Sequence, residues 1–116
     1  GKLIIDGTAK LAMNTKIDRW TTIQINGGSF VANGPMLNML VHEYNCVEFN
    51  APDSTLTAQY GGDYADLDAV RAALGTQFID NAMPEGMRFV ARDVGSNSFI
   101  ITYEPIPPSG TMLILR

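Results

Sequence analysis

Three features of the sequence predict a single α+β domain built mainly of antiparallel hairpins with one long helix. The turn dipeptides Asp6-Gly7 and Asn26-Gly27 each separate short apolar runs. Leu67, Val70, Leu74 and Phe78 recur at helical spacing after an acidic start. Two alternating stretches in the last third flank Gly95-Ser96-Asn97-Ser98. The pattern amounts to about 7–8 strands, a helix over residues 64–82 and a shorter one over 35–44.

The first expected hairpin pairs residues 2–6 with 9–13. A two-residue loop would set Leu3 opposite Lys10, whereas a three-residue loop, Asp6-Gly7-Thr8, pairs Leu3 with Leu11 and Ile5 with Ala9. The second register groups apolar with apolar and is preferred. The next hairpin joins residues 17–25 and 28–33 through Asn26-Gly27 in a type I′ turn, with Ile23 facing Phe30 on the core side. Trp20 then falls on the polar face beside Asp18, Thr22 and Gln24. An indole there needs a cover, from the same domain or from a partner.

Asn33-Gly34-Pro35 opens the short helix, with Leu37, Leu40, Val41 and Tyr44 on one stripe. Residues 46–50 read as a strand with Val47 and Phe49 inward, and 55–60 as one alternating Leu56, Ala58 and Tyr60 against a Thr-rich face. For the long helix, Asp63 is placed to cap, and Asp66 and Asp68 suit the positive end of the helix dipole. Gly75 in its interior costs on the order of 1 kcal/mol relative to Ala, and Pro84 ends it. Residues 87–94 and 99–104 form the last hairpin, with Val94 opposite Phe99 and Arg92 opposite Ile101. A stiff connector over 104–110, carrying Pro105, Pro107 and Pro108, leads to a terminal strand at 111–116. That strand is apolar on both faces, through Met112 and Ile114 on one and Leu113 and Leu115 on the other, so it must be covered. No internal repeat is visible.

Composition narrows the function. The 116 residues and 12.6 kDa suit one domain, residues 1–116. One cysteine, Cys46, and one histidine, His42, exclude an intrachain disulfide and a closed Cys/His zinc site. Eight Lys+Arg against twelve Asp+Glu, with no basic run, argue against a nucleic-acid partner. No apolar stretch approaches the roughly 18 residues of a membrane span. The sequence opens on Gly1 rather than Met, as a tagged or trimmed chain would. Charged residues make up 17% of the chain, below the roughly 25% of ordinary soluble domains, which points to surface hidden in an assembly.

Each candidate for chemistry has a plainer reading. His42 and Cys46 have helical spacing for thiol activation, but Asn45 interrupts them, and the H-E-x-x-H pattern lacks its second histidine. Asp63, Asp66 and Asp68 do not match a calcium loop and serve helix capping instead. Gly61-Gly62 lacks the G-K-[ST] of a phosphate loop. Arg88 and Arg92 share one side of a strand, as a carboxylate clamp or an intersubunit ion-pair site would require.

No enzyme, cofactor or metal is therefore expected. The texture, low in charge and rich in Thr, Asn and Gly, resembles that of small β-rich accessory proteins of bacteriophage particles, such as decoration or tail components. The resemblance implies a structural protein that self-associates and docks on another structural protein, with location on a virion. The expected contact residues are Trp20, Arg88, Arg92, Met112, Leu113, Ile114 and Leu115. The alternative is a ligand-binding or enzymatic domain with a pocket between helix and sheet, using His42, Tyr44 or Tyr60.

Overall fold

The computed structural model describes residues 2–11, 22–35, 46–62 and 64–107. Along them run β1 (Lys2–Ile5), β2 (Ala9–Leu11), β3 (Thr22–Ile25), β4 (Ser29–Pro35), β5 (Cys46–Phe49), β6 (Thr55–Gln59), α1 (Leu67–Ala72), β7 (Phe78–Asp80), β8 (Met87–Gly95) and β9 (Ser98–Pro105). Consecutive strands do not pair until the last two. β1, β3, β5 and β7 lie side by side in one sheet with every pair parallel. β2, β4 and β6 form the parallel part of a second sheet, which continues antiparallel through β9 to β8.

The chain thus lays one strand in each sheet and returns beside its starting point, a coil of the parallel β-helix kind. A parallel pair requires a return path longer than a hairpin, and here the strand of the opposite sheet lies on that path. Thr22 stands beside Lys2, Cys46 beside Thr22 and Phe78 beside Val47, so successive returns take 20, 24 and 31 residues.

Alternation along each strand sends one set of side chains between the sheets. Ile23, Val47 and Phe78 form one buried column, and Ile5, Ile25 and Phe49 the next. Across the second sheet Phe30, Leu56, Ile101 and Ala91 form a buried row. Full burial of side chains of this size contributes about 1.5–3 kcal/mol each. At the corner after the first sheet the chain stacks asparagines. Asn50 Nδ2 donates to Asn26 Oδ1, and Asn81 Nδ2 to Asn50 Oδ1, each at 2.9 Å. The backbone repeats the step, since the N–H groups of Asn26, Asn50 and Asn81 donate to Ile5, Ile25 and Phe49 on the preceding coil.

The predicted α+β fold with a long helix is corrected by this architecture. In place of a helix over 64–82 stands α1, six residues long, capped by Asp66, whose Oδ1 accepts from Ala69 N–H at 2.9 Å. The chain leaves the helix at Ala73, Gly75 takes φ 90°, and Phe78 enters β7 opposite Val47. The stripe of Leu67, Val70, Leu74 and Phe78 is apolar because both the helix and the following strand bury residues, not because one helix carries them all. The expected short helix over 35–44 begins at Pro35, which belongs to β4, and the rest lies outside the described residues.

The first two hairpins are also overturned. β1 and β2 lie in different sheets, as do β3 and β4, and their turn dipeptides make corners. A type I′ turn needs positive φ at both central residues. Here Gly27 and Gly28 have φ 122° and 88°, while Asn26 is not left-handed and gives its side chain to the ladder. The last hairpin is correct in kind but shifted by one residue. Ser96 and Asn97, at φ 54° and 59°, make the tight turn, and an irregularity between Asp93 and Gly95 sets Asp93 opposite Phe99 and Arg88 opposite Glu104. The strands predicted over 46–50 and 55–60 match β5 and β6, with Val47, Phe49, Leu56 and Ala58 buried as expected.

Candidate interaction surfaces

Along β8, Phe89 and Ala91 face inward opposite Tyr103 and Ile101, so Arg88, Val90 and Arg92 stand on the outer face. The register brings Glu104 of β9 opposite Arg88 and within reach of Arg92. Arg88 Nε and Nη2 donate to Glu104 Oε1 at 3.1 and 2.8 Å. Arg92 Nε donates to Oε2 at 2.6 Å, and its Nη2 closes the fork on Oε1. Two guanidinium groups share one carboxylate, and both remain partly exposed at 43% and 49%.

The hydrogen bonds from Arg92, with those from Arg88, hold the Glu104 carboxyl down at about 2, against an ordinary 4.5. A carboxyl with a lowered folded-state pKa stabilises the fold above its unfolded value and loses that contribution as pH falls. The triad's contribution is therefore intact above about pH 4.5 and is lost on acidification through about pH 2. The Glu104 carboxyl carbon followed by NMR should titrate with a midpoint near 2. Glu104→Gln should remove that part of the acid dependence of thermal unfolding; a midpoint near 4.5 would contradict the pairing.

Behind the triad an open cleft of about 340 Å³ runs between α1 and β8, lined by Arg71, Leu74 and β8 residues from Arg88 to Arg92. Arg71 Nε donates to Ala91 O at 3.2 Å, so the helix places a guanidinium against a backbone acceptor of β8, the outermost strand of its sheet. Nearby, Tyr60 is buried and its hydroxyl donates to Asp93 at 2.9 Å. Burial and the bond to Asp93 push that phenol up to about 12, while the Gly95 N–H and the Tyr60 hydroxyl lower Asp93. Tyr60 is thus committed to the fold rather than presented to the cleft.

The opposite end of the coil is formed by β1 and β2. Among the described residues β1 and β2 are edge strands of their sheets, paired on one side only. Ile5 O accepts from Asn26 N–H, Gly7 N–H donates to Gly27 O, and Gly7 O accepts from Ser29 N–H. Odd-numbered residues therefore turn their backbone groups toward the second coil, and by alternation Lys2, Ile4 and Asp6 turn theirs away from it. Ile4 is 55% exposed, one of four exposed large hydrophobic residues among the described ones, with Ile106, Val94 and Met83.

Of the residues expected at an interface, Arg88 and Arg92 come together on Glu104. Trp20 and residues Met112, Leu113, Ile114 and Leu115 lie outside the described residues, as do His42, Tyr44 and Asp63. Cys46 is half-buried in β5, its Sγ 3.8 Å from Thr22 Oγ1 on the neighbouring strand. Gly61 forms a bridge with Tyr64, and Gly62 takes the left-handed conformation of a turn. Among the described residues no three His, Cys, Asp or Glu side chains gather as metal ligands, and no helix is long and apolar enough to cross a membrane. The exposed edge at Ile4 leaves no separate signal in the sequence, where the segment reads equally well as half of a hairpin. Compared with known protein families, curated proteins and solved structures, the chain matches none.

Proposed function

We propose that this chain is a non-catalytic structural module that self-associates and docks on a larger assembly, as a decoration or tail-accessory component of a bacteriophage particle does. The reading is carried by the inequality of the two ends of the coil. Stacked-coil proteins need a capped terminal unit, since an uncovered one leaves backbone groups and apolar surface for pairing. At one end the outermost strands β7 and β8 are met by α1 and the turn after it, Gly75 N–H donating to Phe78 O and Arg71 Nε to Ala91 O. At the other, the β1 edge is uncovered among the described residues and carries Ile4. The low charged fraction, 17%, supports the same reading. The docking partner is a second structural protein, for which the half-exposed Arg88 and Arg92 offer directional donors.

Size exclusion with light scattering tests the proposal, on the full chain and on one ending at Pro108. A stable multimer that dilutes to 12.6 kDa only at low concentration is the expected result. Dissociation on truncation would identify the terminal segment as the clasp, and persistence would move the contact to the coil. A mass of 12.6 kDa at every concentration would sink self-association. The second reading, a ligand-binding module, would then rest on the cleft between α1 and β8 with its three arginines.

A further inference from the structure

We infer that the coil end left open among the described residues pairs with a second copy of itself, β1 against β1 of the partner, antiparallel about a two-fold axis at Ile4. The inference rests on the self-association reading and adds its surface and register. Three independent features of one short segment converge on that register. By alternation with Ile5, whose carbonyl accepts from the second coil, Lys2, Ile4 and Asp6 turn their N–H and C=O groups to the edge left open among the described residues, so pairing centred on Ile4 lets the two Ile4 residues exchange both backbone hydrogen bonds. On the inner face the same register sets Leu3 opposite Ile5 of the partner subunit. Ile5 is buried and Leu3 packs against the core, so the two cores become continuous. On the outer face it sets the exposed Ile4 against its copy, flanked on both sides by Lys2 opposite the partner's Asp6.

Other registers lose this match. A shift by one residue would put inward side chains opposite outward ones. Centring on Leu3 sets Lys2 opposite Ile4, and centring on Ile5 sets Ile4 opposite Asp6, so an apolar residue meets a charge in either case. A two-fold contact also closes on itself, as a finite structural unit requires. Lysine on a free edge ordinarily discourages pairing. Here an acidic residue stands four positions on and answers it across the axis.

The test uses the full chain with Lys2→Glu, with Asp6→Lys, and with both. Either single substitution sets two like-charge pairs across the axis, and each should weaken the dimer about tenfold or more. The double substitution restores opposite charges and should restore the dimer. An equimolar mixture of the two single variants should also associate, as a heterodimer, because each then meets its opposite. Circular dichroism controls for folding, since Lys2 and Asp6 are exposed. If the unmodified chain self-associates and the single variants do so equally well, the β1 register is wrong while self-association stands. If the unmodified chain is monomeric throughout, both fall.

Discussion

Replacing Gly28 by alanine should destabilise the chain by about 3 kcal/mol or more, enough to populate unfolded or aggregated protein. Gly28 lies at the corner between β3 and β4, where the second coil passes over the first. A Cβ there would stand 2.1 Å from Gly7 O and 2.5 Å from Gly7 C, both backbone atoms that cannot swing aside. Its φ of 88° adds the usual left-handed cost for a residue with a side chain. The corner cannot open cheaply, because Ser29 N–H donates to Gly7 O and Gly7 N–H to Gly27 O. Gly75→Ala separates the two contributions. Gly75 has φ 90° and nothing within 4 Å of where a Cβ would stand, so it carries the conformational cost alone. Urea denaturation of the two variants should show Gly28→Ala as the more damaging by at least about 1 kcal/mol. Equal losses would mean that the coils do not approach so closely.

Phe49→Ala should cost about 3–5 kcal/mol, the range for emptying an aromatic site in a well-packed core. Phe49 is fully buried, lies beside Ile25 in register, and meets the edge of the Phe89 ring at 5.0 Å and 73°. It therefore links the coil column to the hairpin that closes the stack. Its own carbonyl accepts from Asn81 N–H, so the substitution removes packing while leaving the backbone ladder in place. Denaturant midpoints give the loss directly. A change below about 1 kcal/mol would show that hairpin and coil are not one cooperative unit. Ile4→Ser, at a residue already 55% exposed, should leave the stability of the isolated chain nearly unchanged.

The sequence states strands well and their neighbours poorly. Val47, Phe49, Leu56 and Ala58 alternate cleanly, and their strands stand where alternation puts them. Alternation reports which face is buried, however, and says nothing of which strand lies alongside. Asp6-Gly7 and Asn26-Gly27 supply the same backbone freedom to a hairpin and to a corner between sheets, so local chemistry cannot separate the two. The coil itself is hidden because its turns take 20, 24 and 31 residues, and unequal lengths erase any period. One trace does exist, in the asparagines that follow Ile25, Phe49 and Asp80 at the same corner. The long helix failed at Gly75, whose cost was visible in the sequence and was outweighed by an apolar stripe that two elements share. Of the site, Arg88 and Arg92 were legible as a pair on one strand face, but Glu104 was not. Its place depends on the one-residue shift introduced at Asp93 and Gly95.

Association through the first coil is read at the β1 amides by hydrogen exchange. The amides of Leu3 and Ile5 face the second coil and should be protected at all protein concentrations. The amide of Ile4 faces the open edge. It should exchange freely in dilute solution and gain protection as the chain associates. An Ile4 amide that stays fully exchangeable in a sample shown to be multimeric would place the contact elsewhere on the molecule.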